Sequence, residues 1–346
     1  PYHSRWRHFD AGGVARWPAL ARRLAGLPPR EIARRRIELA TVSVLLDAGA
    51  GERWRYRERD SGKVFARSEG LAVASLDMFA AGMFSAHPGD PLRVDAAALA
   101  AIDAARLAAG LQVTADNPMV GLDGRAALLR RLGGVLAARP DLFGAEARIG
   151  CLLDRLEREH EGRAVPAAAI LAALLDGFSE IWPSGQRLGP HELGDVWPHQ
   201  AARVGDGDPS DGLVPFHKLS QWLCYSLVEP FESAGIAVSG LDALTGLPEY
   251  RNGGLFIDLG VLVPRRREIL SETHAVGSEP VVEWRALTVV LLDRLAERVG
   301  AFLGRGPLPL PMLLEGGSWA AGRRIAQALR PGGAPPIRVA SDGTVF

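Results

Sequence analysis

The sequence predicts a mainly α-helical fold, and three observations carry that reading. Apolar residues recur every three or four positions along several long stretches. Alanine and leucine crowd residues 95–138, where they favour helix. The alternating segments are short and local, so the strand–helix–strand succession that builds a parallel sheet is missing.

In chain order, the first expected helix runs from Pro29 to Asp47, with Ile32, Ile37, Ala40, Val44 and Leu45 at helical spacing and Gly49 and Gly51 as its stop. Glu52–Glu69 changes period. Trp54 and Tyr56 precede Asp60-Ser61-Gly62, and Val64 and Phe65 follow, which is the pattern of a small β-hairpin. Helices are then expected over Leu71–Phe84, Asp95–Leu111, Gly124–Ala138 and Pro166–Phe178, with Arg139–Phe143 as a connection. Ser184–Gly212 is rich in Gly, Pro and Asp and reads as a long irregular segment, a kind of loop that tends to be functional. Helix resumes over His217–Glu229, and Gly240–Gly260 is Gly-rich and short in period. In Glu283–Phe302, the residues Trp284, Leu287, Leu291, Leu295, Val299 and Phe302 form one stripe. Ser318 is placed as the N-cap of a helix reaching Arg330, and Ile337–Phe346 as a terminal hairpin turning at Asp342-Gly343.

With 346 residues the chain can form one large domain or two fused ones. The irregular segment is the natural divide, giving parts 1–183 and 184–346 unless the domain is continuous. The 40 basic residues balance 40 acidic ones, so no net charge points to nucleic acid or an anionic membrane; a local anion pocket is compatible with a neutral total. Charges such as Asp47, Arg285 and Asp293 interrupt every apolar run before it reaches membrane-spanning length. Pro1–Asp10 is polar and aromatic, unlike a secretion signal, and Cys151 and Cys224 form no CxxC pair. A cytoplasmic protein with two buried thiols is expected.

Three clusters carry chemistry. Phe216-His217-Lys218-Leu219-Ser220-Gln221-Trp222 opens a helix on which Lys218, Gln221, Tyr225 and Glu229 share a stripe. That stripe is either a solvated face or a functional one. Lys218 and Lys63 are the only lysines, and a compact, titratable ammonium is what distinguishes lysine from arginine. Glu249-Tyr250-Arg251 precedes Gly253-Gly254, either as a salt-bridged turn or as a loop that lets a ligand approach the backbone. Gly316-Gly317-Ser318 opens a helix carrying Arg323 and Arg324, which is either a plain cap or a place for phosphate.

His191, Asp195 and His199 have a metal-ligand spacing, but Pro190 and Pro198 break the helix it needs. Asp206, Asp208 and Asp211 lack the terminal glutamate of a calcium loop, because that position is His217. Dinucleotide, P-loop, nucleophile-elbow and zinc-protease signatures are missing, so no metal and no cofactor is expected.

Several stretches resemble the family of the fourth uracil-catabolism (URC) protein. They are Arg36-Ile37-Glu38-Leu39, Leu45-Leu46-Asp47-Ala48-Gly49, Arg67-Ser68-Glu69-Gly70-Leu71 and Asp116-Asn117-Pro118-Met119-Val120-Gly121. Ile181-Trp182-Pro183-Ser184, Val214 to Trp222, Leu247 to Leu262, Val282 to Leu287 and Ser341 to Phe346 continue the series, so that the resemblance covers almost the full chain. It implies a role in a pathway that handles uracil through UMP, where ring opening by a relative of GTP cyclohydrolase II leaves a ribosylurea-type intermediate.

A second resemblance, in motif order, is to the queuosine-salvage nucleotide glycosidases. It rests on Phe178…Trp182-Pro183, Lys218…Gln221, Glu249-Tyr250-Arg251 and Glu283-Trp284-Arg285-Ala286; the loop carboxylate of that family is aspartate and here is Glu249. It implies a core like that of helix-hairpin-helix DNA glycosylases, with small peripheral β-hairpins, and cleavage of an N-glycosidic bond.

Together the resemblances imply an N-ribosyl hydrolase whose partner is a small phosphorylated ribosyl substrate. Glu249 would stabilise the ribose cation and activate water, and Lys218 or His217 would protonate the departing urea nitrogen. Arg251, Arg285 and Arg323 would hold the 5′-phosphate, Trp182, Trp222 or Tyr250 would pack on the ribose or urea, and Gln221 would bind the substrate beside Lys218. Asp258 is a candidate second carboxylate, equally well explained by an ion pair with Arg251. The competing readings are a non-catalytic pathway protein that binds the intermediate, and an amidohydrolase attacking the urea carbonyl, which calls for a metal cluster.

Overall fold

The computed structural model describes residues 1–182 and 186–340. Its first half contains α1 (Arg5–Phe9), α2 (Arg16–Arg23), α3 (Pro29–Leu45), α4 (Arg67–Ala80), α5 (Ala96–Ala100), α6 (Ala104–Gly110), α7 (Leu122–Ala138), α8 (Pro140–Phe143), α9 (Leu152–Glu159) and α10 (Ala167–Phe178). The second half contains α11 (Lys218–Ser233), α12 (Tyr250–Asp258), α13 (Glu268–Ser271), α14 (Glu279–Phe302), α15 (Leu310–Leu313) and α16 (Trp319–Leu329). The fold is mainly α, as the periodicity implies.

Strands are short and pair two by two. Tyr56–Arg57 (β1) and Val64–Phe65 (β2) form the expected antiparallel hairpin, with Tyr56 opposite Phe65. Val165–Pro166 (β3) pairs in parallel with Val238–Ser239, which is β8 in chain order. Between them lie the antiparallel pairs Arg187–Leu188 (β4) with His191–Glu192 (β5) and Val196–Pro198 (β6) with Leu213–Pro215 (β7). The segment read as irregular therefore carries two small ribbons.

Helices α3 and α11 form the centre. Every residue of α3 from Ile37 to its end is buried, and so is every residue of α11 from Leu219 to Val228. A helix covered all round belongs in the middle of a core. The two helices pack on each other, α1 and α4 lie against α3, and α10 lies against α11. One apolar cluster runs from Trp6 to Leu314 and draws on helices before and after residue 183. The polar stripe of α11 is thus no solvated face. Gln221 Oε1 accepts from the Thr245 amide (3.3 Å), and the Tyr225 hydroxyl donates to the Thr245 carbonyl (3.0 Å), so an overlying loop satisfies both.

Three expectations are corrected. Asp95–Leu111 is two helices, because Asp95 and Asp103 each cap a new start by accepting from Ala98 N (3.0 Å) and Arg106 N (2.7 Å). Trp284 is buried as read, but beyond it the buried face of α14 is Arg285, Thr288, Leu292 and Ala296, while Leu287 is 39% and Phe302 90% exposed, so the stripe after Trp284 is displaced by one residue from the one read. Ser318 caps nothing. It sits within helical backbone between α15 and α16, where a π-type turn spans Leu314–Ser318, and its hydroxyl donates to Asn252 Oδ1 (2.8 Å). Arg338–Ala340 (β10) pairs in parallel with Thr273–Ala275 (β9), and the terminal hairpin read with its turn at Asp342-Gly343 lies outside the described residues.

Candidate functional site

Glu249 opens α12. Its backbone is extended (φ −120°, ψ 168°), and its carboxylate accepts from Asn252 N (2.6 Å) and Arg251 N (3.0 Å). These are amides at the helix start, with no partner inside the helix, so Glu249 is a helix cap and its negative charge faces the positive end of the helix dipole. The stretch read as a Gly-rich loop is consequently a helix. Gly253 is accepted there because α14 comes close: a Cβ would meet Trp284 Nε1 and Thr288 Oγ1, each at 2.7 Å. Gly322 does the same for α16, since a Cβ there would overlap the Arg251 carbonyl.

This packing fixes Arg251. Its guanidinium carbon lies 4.2 Å from the Trp319 ring centre and 5.0 Å from that of Tyr250. The side chain is buried, yet Nε and Nη2 have no hydrogen-bond partner among the described residues. A buried guanidinium without an acceptor is costly, and an anionic ligand would remove that cost.

Arg251 lines a cavity of about 410 Å³, a size suited to a small phosphorylated molecule. Its walls come from distant parts of the chain: His3 and His8, Asp47 to Glu52 after α3, Arg67 and Ser68 at the start of α4, Lys218 and Trp222 on α11, Glu249 to Arg251, Trp319, and the stretch from Ala334 to Val339. His3, His8, Trp222 and Trp319 form an aromatic group, with His3 stacked on Trp222 at 6.1 Å and His8 edge-on to Trp222 and Trp319 at 5.5 Å each. His3 is held by Glu315 (2.8 Å).

Burial, then the charge of Arg285, lower the Lys218 ammonium from its ordinary value, while Asp195, Glu249 and Asp47 oppose the shift. Burial also raises the Tyr250 phenol and holds His8 well below the usual imidazole range, with Arg5 and His3 adding to the effect on His8. Burial opposes charge on Arg251 too, but Tyr250, Glu249, Glu69 and Asp47 outweigh it and its pKa is raised.

Of the residues the sequence singles out, Glu249, Lys218, Tyr250, Arg251 and Trp222 meet in this cavity. His217 and Trp182 do not; they line a small separate cleft with Asp195. Arg285 lies behind Lys218 and is committed to Asp195, with two contacts of 2.7 Å and its guanidinium 4.1 Å from the Phe216 ring. Asp195, whose spacing suggested a metal, also accepts from Trp197 Nε1 (2.9 Å) and from the Lys218 amide (3.0 Å). Burial works against its charge, but Arg285 prevails and holds the carboxyl at about 2.

Gln221 is taken up by the core, and Asp258 pairs with Arg330 (2.7 Å) instead of Arg251. Arg323 lines an adjoining cleft, paired with Glu69. Sequence reasoning missed Asp47, His3, His8, Arg67 and Trp319. Asp47 carried a signal: a charge just past a helix run, Leu39 to Leu46, whose only polar residues are Thr41 and Ser43. Arg67 stands in one of the stretches that carry the family resemblance, while His3, His8 and Trp319 are distant in sequence and carried no signal.

The fold and site together define a class: a mainly helical protein whose cavity sets the carboxylates of Asp47, Glu52 and Glu249, a lysine with a lowered pKa and an arginine with unpartnered N–H groups among aromatic rings. A family model described as "Protein of unknown function (DUF1688)" matches residues 1–346. The chain is 41% identical to "Uracil catabolism protein 4" of Lachancea kluyveri and 43% identical to "Protein urg3" of Schizosaccharomyces pombe, in each case over its whole length and 85% and 84% of the relative. The chain belongs to this family, the one its motif stretches resemble. No helix among the described residues is long and apolar enough to cross a membrane, and no group of three or more His, Cys, Asp or Glu there is arranged to hold a metal ion.

Proposed function

We propose that the protein acts in uracil catabolism and hydrolyses the N-ribosyl bond of a 5′-phosphoribosylurea-type intermediate, giving urea and ribose 5-phosphate. The observation that carries this reading is the meeting of Glu249, Lys218 and Arg251 in one cavity. The printed name of the Lachancea relative supports the pathway. The motif order shared with nucleotide glycosidases supports the bond.

As C1′–N breaks, its electron pair goes to the urea nitrogen and positive charge builds on the ribose carbon. Glu249, pinned by two backbone amides, supplies fixed negative charge to that carbon. Lys218 protonates the departing nitrogen, a task that a lowered ammonium pKa favours. Arg251 takes the 5′-phosphate through its unpartnered N–H groups, and Trp222 and Tyr250 pack against the sugar and urea. Of the three arginines expected at the phosphate, Arg251 is the one in this cavity.

The test is synthetic 5′-phosphoribosylurea with the purified chain, followed by mass spectrometry for urea and ribose 5-phosphate. Intact substrate at high enzyme concentration sinks the reading, and affinity without turnover makes the protein a binder of the intermediate. Glu249→Gln should abolish turnover and spare binding, because the amide oxygen still accepts at the helix start; undiminished turnover removes Glu249 from the chemistry.

A further inference from the structure

The reaction proposed above, on which this inference rests, also needs a group to take a proton from the attacking water. We infer that Asp47 is that group, a second catalytic carboxylate with a role different from that of Glu249.

Both oxygens of Glu249 are already engaged by backbone amides at the helix start. Asp47 is bound differently. It lies just past the end of α3 in the cavity wall and is 9% exposed. One oxygen, Oδ2, accepts from Arg5 Nη1 at 2.6 Å, and Oδ1 has no hydrogen-bond partner among the described residues.

Arg5 is itself immobilised. It is fully buried, its Nε donates to Ser43 Oγ (2.6 Å), and its guanidinium carbon lies 5.4 Å from the Trp222 ring centre. A carboxylate anchored through one oxygen and open at the other is the arrangement of an oriented general base. A plain counterion for Arg5 needs no place in a cavity wall. The charge of Asp47 is also felt by Lys218, Tyr250 and Arg251, the same three groups that feel Glu249. Two carboxylates therefore act on one set of cavity groups, as the cleavage of a glycosidic bond requires.

The step balances. Water oxygen bonds C1′ and gives one proton to Asp47 Oδ1, while the C1′–N pair leaves with the urea nitrogen, which takes a proton from Lys218. After release, the proton passes from the Asp47 carboxyl to the Lys218 amine through solvent.

The experiment uses the full chain and 5′-phosphoribosylurea. Wild-type turnover is measured first: its absence overturns the reaction itself, and this inference with it. Given turnover, Asp47→Asn should lower kcat by about 10²–10⁴-fold and leave calorimetric binding of ribose 5-phosphate within a few-fold. Asp47→Glu keeps the charge that Arg5 needs for folding but moves the carboxylate, and should also lose at least tenfold in kcat. Asp47→Ala should recover activity with added formate, and Glu249→Gln should not. Folded Asp47→Asn or Asp47→Glu protein with kcat within threefold of wild type overturns the inference, as does an Asp47→Ala variant that formate fails to rescue.

Discussion

The ion pair behind Lys218 gives a prediction whose size follows from its surroundings. In Asp195→Asn the Arg285 guanidinium, 1% exposed, exchanges two 2.7 Å contacts to a charged carboxylate for at most one to a neutral amide oxygen. Breaking one side of such a pair costs about 3–5 kcal/mol. For 346 residues, at ~2.1 cal/mol/K each, the unfolding entropy is ~0.7 kcal/mol/K, so Tm should fall by about 4–7 °C at pH 7. The Asp195 carboxyl is held at about 2 against an ordinary 3.8, which is worth ~2 kcal/mol of linked stability. Because its folded-state pKa is depressed, that share is present above pH 3.8 and is lost as pH falls toward 2. The difference in Tm between wild type and variant should therefore be widest near neutrality and narrow below pH 4, as followed by scanning calorimetry. A difference under about 1 °C at pH 7, or one indifferent to pH, refutes the argument that this pair holds the start of α11 in place.

Two further outcomes test the cavity. Arg251→Ala should weaken ribose 5-phosphate binding by about 10–100-fold, the worth of a charge-assisted hydrogen bond, with little change for unphosphorylated ribose; equal losses for both ligands in calorimetry would exclude a phosphate role. Gly322→Ala should force α16 away from the Arg251 carbonyl and destabilise by about 1–3 kcal/mol, and an unchanged melting temperature would contradict the close approach of the two helices.

The sequence displays those parts of the structure that depend on local pattern. The α3 and α10 helices, the hairpin at Tyr56 and Phe65, and the stretches that bring Lys218 and Glu249 to Arg251 to one cavity are legible from spacing or motif. What is hidden depends on tertiary contact. Gly253 and Gly254 lower helix propensity and so resemble a loop, yet α12 forms because Trp284 and Pro336 occupy the space a side chain would take. The apolar stripe of α14 misleads because the residue turned inward is Arg285, made tolerable by Asp195 from 90 residues away. For the same reason Arg285 reads as a phosphate grip until its counterion is seen. His3 and Trp319 have no local signature at all; only the fold brings them beside Trp222.

Residues 3 and 339 line the same cavity. Closing so long a stretch of chain is slow and entropically demanding compared with forming any single helix. During synthesis a nascent polypeptide that has delivered Lys218 and Arg251 still lacks Trp319 and the wall from Ala334 onward, so the complete chamber cannot form before those residues emerge. Occupancy of that chamber by a small molecule would thus report on folding of the chain from residue 3 to residue 339, and no fragment cut before Trp319 should retain it.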